Sequence, residues 1–278
     1  MNKIGILHPG EMGISVAASA IKSGHEVFWV SENRSQKTHD RAQKHELVDA
    51  GSFENFCHLC EIIISICPPQ IAEDMAGQVI QHNFRGWYLD ANAISPQRTI
   101  KIGQMLKAND IHYVDGGIIG RPAWEAKSTW LYLSGEGADR IENCFSAGPL
   151  ETRIIGNEIG KASALKMCYS AYSKGTTALL CAILGTAETL GVRDELYGQW
   201  DMDNTGFSEQ TNQRVSRVTA KAWRFEAEMR EIAGTFHGVG MPSGFHKAAA
   251  DIYDRLAGFK DAEQIPELKD VLQALHAK

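Results

Sequence analysis

The chain has 278 residues, a hydrophobic fraction of 44%, a charged fraction of 22% and a net charge of −6. That length can hold two hydrophobic cores, and that composition is of an ordinary globular protein rather than a disordered or membrane-embedded one. Lys and Arg are nowhere gathered into a nucleic-acid or membrane-surface footprint, and no apolar run approaches a membrane span.

The chain opens Met-Asn-Lys-Ile-Gly-Ile-Leu-His-Pro. Residues 3–7 read as a strand entering a turn, not as the longer apolar core of a signal peptide, and a cytoplasmic location is expected. Residues 11–23 carry small and apolar side chains at helical spacing and stop at Gly24, a good C-terminal cap. A second strand is predicted over 26–31, a polar helix over 35–44 and a short helix over 53–60. Residues 61–67, Glu-Ile-Ile-Ile-Ser-Ile-Cys, read as a strand buried on both faces and closed by Pro68 and Pro69. A helix over 71–82 and a strand over 87–91 follow. Ser95 then offers an N-cap, with Pro96 at the first helical position. Further strands are predicted over 111–114, 129–134 and 153–155.

This alternation predicts an α/β fold, a doubly wound and mainly parallel sheet covered on both faces. After Gly156 the pattern changes to helical periodicity, broken near Gly191, Asp201–Gly206 and Gly238–Gly244. The expected organisation is a first domain over 1–156 and an all-helical domain over 157–278, joined by a long helix.

Six cysteines in a chain of this length make no disulfide framework. Cys57-His-Leu-Cys60 has the Cys-x-x-Cys spacing, but a zinc site wants a second such pair and the sequence has none. The pair is read as helix residues packed on the sheet. No metal constellation is visible.

His8-Pro9-Gly10-Glu11-Met12-Gly13 sits between the first strand and the first helix. A dinucleotide loop places three glycines at this spacing; here Gly10 and Gly13 are the second and third, and His8 replaces the first. Gly10 lets backbone approach a pyrophosphate, Gly13 lets helix pack on strand, and the helix N-terminus offers N–H groups and partial positive charge. The second strand ends Glu32-Asn33-Arg34-Ser35. Glu32 suits the ribose hydroxyl of NAD; Arg34, with Asn33 and Ser35, suits the 2′-phosphate of NADP. NADP is the expected cofactor, with NAD as the alternative. Cys67, Pro68 and Pro69, at the end of the buried strand, and Asn92, at the end of the next, are assigned to the same ligand, because such sheets bind nucleotides at their carboxyl edge.

In the helix that begins near residue 160, Ser163, Lys166, Ser170 and Ser173 recur at three- and four-residue spacing among Leu165, Tyr169 and Tyr172. A lysine on a mainly apolar helix loses water at a cost, and proton transfer to a reacting carbonyl or imine gives it a use. Lys174 is a candidate for a nearby cation that tunes it. Asp115-Gly116-Gly117-Ile118-Ile119-Gly120-Arg121 reads as a glycine loop approaching substrate, with an apolar wall at Ile118 and Ile119 and an anchor for an acid group at Arg121. Ser95 and Ser170 join this substrate set. Trp223 and His246 either reach it or fill the helical core.

Taken together, the His-Pro-Gly-Glu-Met-Gly loop, Cys67-Pro-Pro69, Asp90-x-Asn92 with Ser95-Pro96, Asp115-Gly-Gly-Ile-Ile-Gly120, Ala164-Leu-Lys-Met167 and the tail from Trp223 to His246 resemble the 6-phosphogluconate dehydrogenase-like superfamily over nearly the whole chain. The narrower resemblance is to NAD(P)-binding proteins with a phosphogluconate-dehydrogenase-like C-terminal domain. It implies a Rossmann domain, a long inter-domain helix, an all-helical C-terminal domain and a homodimer through that domain. It also implies hydride transfer between nicotinamide and a small hydroxy acid, with Lys166 as general acid/base. Ala162 and Ser170 stand where the superfamily has glycine and asparagine, and Ile119-Gly120-Arg121 replaces its Ser-Gly-Gly. Imine reduction and a dinucleotide-binding sensor without turnover are therefore carried as alternatives.

Overall fold

The structure is a computed structural model that describes residues 1–260 and 262–276. Its contacts divide the chain into two compact units, Met1–Met167 and Cys168–Lys278.

The first unit runs β1 (Lys3–Ile6), α1 (Glu11–Lys22), β2 (Glu26–Trp29), α2 (Gln36–Lys44), β3 (Val48–Asp49), α3 (Phe53–Leu59), β4 (Ile62–Ser65), α4 (Ala72–Gln81), β5 (Trp87–Asp90), α5 (Pro96–Lys107), β6 (His112–Gly120), β7 (Thr129–Ser134), α6 (Ala138–Glu142) and β8 (Glu151–Ile154). Among the described residues eight strands form one sheet in the order β3-β2-β1-β4-β5-β6-β7-β8. Every pairing is parallel except β6 with β7. The order reverses between β1 and β4, so the loops leaving their carboxyl ends open the crevice where doubly wound sheets bind ligands.

β4 shows why the sheet is sandwiched. Ile62 and Ile64 face a core built with Ile14 and Ala17 of α1, whereas Ile63 faces a second core built with Phe56 of α3, Met75 of α4 and Ile102 of α5. A strand buried on both faces reads as a continuous apolar run, which is what residues 62–64 are. Cys57 and Cys60 belong to the second core, and burial pushes both thiols up, Cys57 to about 12. Thiols held so far from their anionic form are packing groups.

Helix α6 was not expected from the sequence, and two strands also depart from expectation. β3 is two exposed residues beside β2, too short to leave a pattern in sequence. β6 does not stop at Val114. It runs on to Gly120, paired with β7 from Asp115↔Ser134 to Gly120↔Thr129. The expected glycine loop is therefore strand. Since Asp115 pairs with Asp90, the last residue of β5, residues 116–120 project beyond the carboxyl end of β5.

A long helix, α7 (Lys161–Leu190), begins in the first unit and continues into the second, followed by α8 (Arg193–Asp203), α9 (Phe207–Gly238), α10 (Gly244–Arg255) and α11 (Leu268–His276). Gly191 and Gly206 take left-handed backbone, φ 68° and 78°, where the chain turns out of α7 and into α9. Leu184, Val215, Met229, Ile232 and Tyr253 are buried in this unit. Among the described residues no helix is long and apolar enough to cross a membrane.

Candidate active site at the carboxyl edge of the sheet

The turn after β1 is shaped by close approach. The Leu7 N–H donates to the Ile64 carbonyl (3.1 Å), and the Gly10 N–H folds back onto the His8 carbonyl (2.8 Å). A Cβ on Gly13 would lie 2.0 Å from the His8 oxygen, so only glycine allows α1 to start this near the strand. A Cβ on Gly10 would meet nothing within 4 Å, which leaves the surface over the loop open. Gly10 caps α1 without a side-chain hydrogen bond, and the N–H groups of the first turn, from Glu11, Met12 and Gly13, point out of the helix toward that space.

Arg34 and Arg41 hold this turn. Arg34 Nη2 donates to the Leu7 carbonyl (3.1 Å) and Arg41 Nη1 to the Pro9 carbonyl (3.1 Å). The Arg34 Nε–H is buried with no acceptor, as is His8 Nδ1. Burial and the Arg34 guanidinium pull His8 down to about 4, so its imidazole is neutral. Glu32 is exposed, Asn33 takes left-handed backbone (φ 58°) and Ser35 stands at the N-cap of α2. The cradle of Gly10 and Gly13, the open amides of α1 and an orphaned guanidinium N–H together fit a dinucleotide phosphate. Arg41 was not among the residues singled out from sequence. Arg41 lies in α2, whose N-cap Ser35 directly follows Arg34.

A second set of groups ties the ends of β4, β5 and β6. Asn92 Oδ1 accepts from the Cys67 N–H (2.6 Å), Asn92 Nδ2 donates to Ser65 Oγ (3.1 Å), and the Asn92 N–H donates to Asp90 Oδ1 (3.0 Å). Asn92 is therefore a staple that fixes the Cys67-Pro68-Pro69 turn. Asp90 is fully buried. Burial raises it to about 7, with the Asp115 charge adding and the Asn92 N–H opposing. Ser95 is buried at the N-cap of α5.

Asp115 is also buried. Its Oδ2 accepts from the N–H groups of Gly160 (2.9 Å), Ala162 (3.0 Å) and Ser163 (3.1 Å) and from Ser134 Oγ (2.9 Å), and its Oδ1 accepts from Ser163 Oγ (2.6 Å). Two residues along β6, a Cβ on Gly117 would lie 2.6 Å from the Ala162 carbonyl oxygen and 3.2 Å from Lys166 Cβ. One residue further, the Ile118 carbonyl accepts from Lys166 Nζ at 2.6 Å. These ties are why the first turns of α7 belong with the sheet although the sequence pattern changes earlier, at Gly156.

The expected substrate wall is rearranged by strand alternation. Ile118 turns its side chain into the first core and offers only its carbonyl, and Gly116 packs against Leu89 and Leu131. Ile119 is half-buried, and Gly120 and Arg121 are exposed where β6 turns toward β7. In the second unit Ser170 is buried, Trp223 is partly exposed beneath Lys260 Nζ (4.4 Å), and His246 is buried against Phe236 with its Nδ1 lacking an acceptor. Lys174 pairs with Glu228, so its charge is answered within that unit rather than left as a free cation.

Residues 3–145 match the model of the NAD binding domain of 6-phosphogluconate dehydrogenase, and residues 187–256 match that of a domain of unknown function, DUF1932. An uncharacterized 28.5 kDa protein in the 7S RNA 5′ region of Methanothermus fervidus is 31% identical over 195 residues, 70% of this chain and 74% of that one. A solved conserved protein of unknown function, described as structurally similar to 3-hydroxyacid dehydrogenases, is 27% identical with a TM-score of 0.68, covering 99% of this chain and 100% of its own. The 3-hydroxyisobutyrate dehydrogenase of Mycobacterium tuberculosis, solved with L-serine, shares the fold at 17% identity and a TM-score of 0.71, covering 100% of both chains.

Proposed function

The chain belongs to the family of the NAD binding domain of 6-phosphogluconate dehydrogenase, and from that premise we propose that it is an NADP-dependent oxidoreductase acting on a small hydroxy acid or its carbonyl counterpart. Lys166 is its general acid/base. The observation that carries this reading is the Lys166 amine, held 2.6 Å from the Ile118 carbonyl on the stretch of β6 that projects past β5. That edge of the sheet is also where the Gly10–Gly13 turn opens.

The backbone of Gly10, Met12 and Gly13 would hold the pyrophosphate. Arg34, with Asn33 and Ser35, would hold the 2′-phosphate, which gives the buried Nε–H of Arg34 an acceptor. Cys67, Pro68 and Pro69, placed by Asn92, would bound the nicotinamide end. When bound, the nicotinamide supplies or takes the hydride. Lys166 moves the proton: its Nζ gives one to the substrate oxygen in reduction and removes one in oxidation. Gly117 and Ile118 keep that amine on one side of the strand.

Consumption of NADPH by a panel of small aldehydes and ketoacids, and reduction of NADP by the matching hydroxy acids, tests the activity. Lys166→Met should lower turnover at least about a hundredfold, the lower end of a general acid's worth, while NADPH binding persists. Turnover unchanged by Lys166→Met sinks the role. Turnover confined to cyclic imines makes the enzyme an imine reductase, and NADPH binding with no turnover in either panel makes it a sensor. Arg34→Ala should weaken NADPH more than NADH. Tighter binding of NADH by the wild type would transfer the cofactor assignment to NAD through Glu32.

Tyr169, Tyr172 and Leu179 expose a stripe at helical spacing on α7. This supports a homodimer through the helical unit, which sedimentation would read directly. Six free thiols, five of them buried and Cys168 exposed, suit a reducing cytoplasm.

A further inference from the structure

We propose that Asp115 is the positioning residue for Lys166, an inference that rests on the general acid/base reading of that lysine. An ordinary helix start is capped by a local Ser, Thr, Asp or Asn side chain. α7 has none: the residue before it is Gly160, in left-handed backbone at φ 98°. The cap comes instead from Asp115 on β6, 48 positions before Ser163. Three N–H groups of the first turn and two hydroxyls converge on its carboxylate.

Burying a carboxylate is an expensive way to cap a helix, and a local serine would have served stability alone. What the remote cap adds is registration. Asp115 holds residues 160–163, Gly117 admits the Ala162 carbonyl and the Lys166 Cβ, and Ile118 receives the Lys166 Nζ. One strand thus fixes the helix along its axis and about it. A slip of one residue moves a helix about 1.5 Å and turns it about 100°, enough to carry the amine off the Ile118 carbonyl. The seam reaches further. Ser163 Oγ also meets Thr99 Oγ1 of α5 at 2.9 Å, and the Ala162 N–H is shared with Ser134 Oγ of β7 at 3.0 Å. α7 is therefore seated on three elements of the sheet unit, and Asp115 is the group common to the contacts of its first turn.

The test uses Asp115→Asn, which keeps the shape, and Ser163→Ala, which removes one hydroxyl from a helix that tolerates alanine. NADPH affinity reports whether the sheet unit is intact, and it should stay within about twofold of wild type. Trinitrobenzenesulfonate labelling of Lys166, read by peptide mass spectrometry, reports where the amine is. It should speed up several-fold in both variants as the amine leaves the Ile118 carbonyl. With the carbonyl or imine that turns over, kcat should fall about tenfold or more at unchanged KM. A role confined to stability would lower the melting temperature and leave labelling and kcat where they were; that result overturns the proposal, as does unchanged labelling in Ser163→Ala should Asp115→Asn fail to fold. Lys166→Met run in parallel separates the two readings. Wild-type turnover there ends the general-acid role, while the labelling rates still decide Asp115.

Discussion

The sheet unit and the helical unit bury polar groups in different ways. In the helical unit buried hydroxyls tie helices pairwise: Thr177 Oγ1 donates to the Ser173 carbonyl of its own helix (3.0 Å) and accepts from Arg214 Nε of α9 (2.7 Å), and the Tyr253 hydroxyl of α10 donates to the Lys174 carbonyl (2.7 Å). In the sheet unit the buried cross-element ties converge on carboxylates instead, two of which lie at paired positions of neighbouring strands, Asp90↔Asp115. A neutral hydroxyl shared between two helices fixes only that one pair. A buried carboxylate that needs donors from several elements specifies one arrangement of all of them, and it is costly wherever that arrangement fails. The molecule places such groups at the edge that carries the nucleotide turn and Lys166.

The largest effect that would sharpen this contrast is at Gly13. Gly13→Ala drives a Cβ to within 2.0 Å of the His8 oxygen. It should destabilise the sheet unit by about 3 kcal/mol in denaturant titration and abolish NADPH binding by fluorescence. Gly117→Ala comes next. Its Cβ meets the Ala162 oxygen at 2.6 Å, so α7 must lift. We expect a loss of about 2 kcal/mol together with faster labelling of Lys166, with NADPH affinity retained. In the helical unit Lys174→Met should cost about 1–2 kcal/mol by leaving Glu228 without its lysine, and NADPH affinity should not change. Loss of NADPH binding in that variant would break the contrast between the units.

The last prediction is a matter of pH. Asp90 sits at about 7 in the folded protein against an ordinary 3.8. The folded state therefore holds a proton that the unfolded chain releases across that window, and stability falls as pH rises through it. Asp90→Asn has no such group. Its melting temperature relative to wild type should climb between pH 4 and about 7 and then level off. A difference that stays flat with pH would show Asp90 ionised throughout.

Much of the fold was legible because its causes are local. Residues 62–64 announce a strand buried on both faces, Ser95-Pro96 announces a helix start, and Gly191 and Gly206 mark turns that need left-handed backbone. The nucleotide turn was legible for the same reason, since Gly10 and Gly13 answer a steric demand inside six residues. β3 was not legible, being two exposed residues long. The glycines of β6 were misread as a loop, because glycine says that something comes close and not what it is. At Gly117 it is helix α7, at Gly116 the side chains of Leu89 and Leu131, and the pairing with β7 that makes this segment a strand lies in residues 129–134.

The sequence by itself determined most of the element order and the nucleotide turn, and it singled out Lys166 for the proposed chemistry, since each follows from side chains within a turn or two of one another. Only the tertiary structure decided what holds that lysine in place. The helix start carries no cap of its own, and the carboxylate that supplies one comes from a strand 48 positions away. No spacing rule reaches that far: the donors and the acceptor become neighbours only after the sheet has formed.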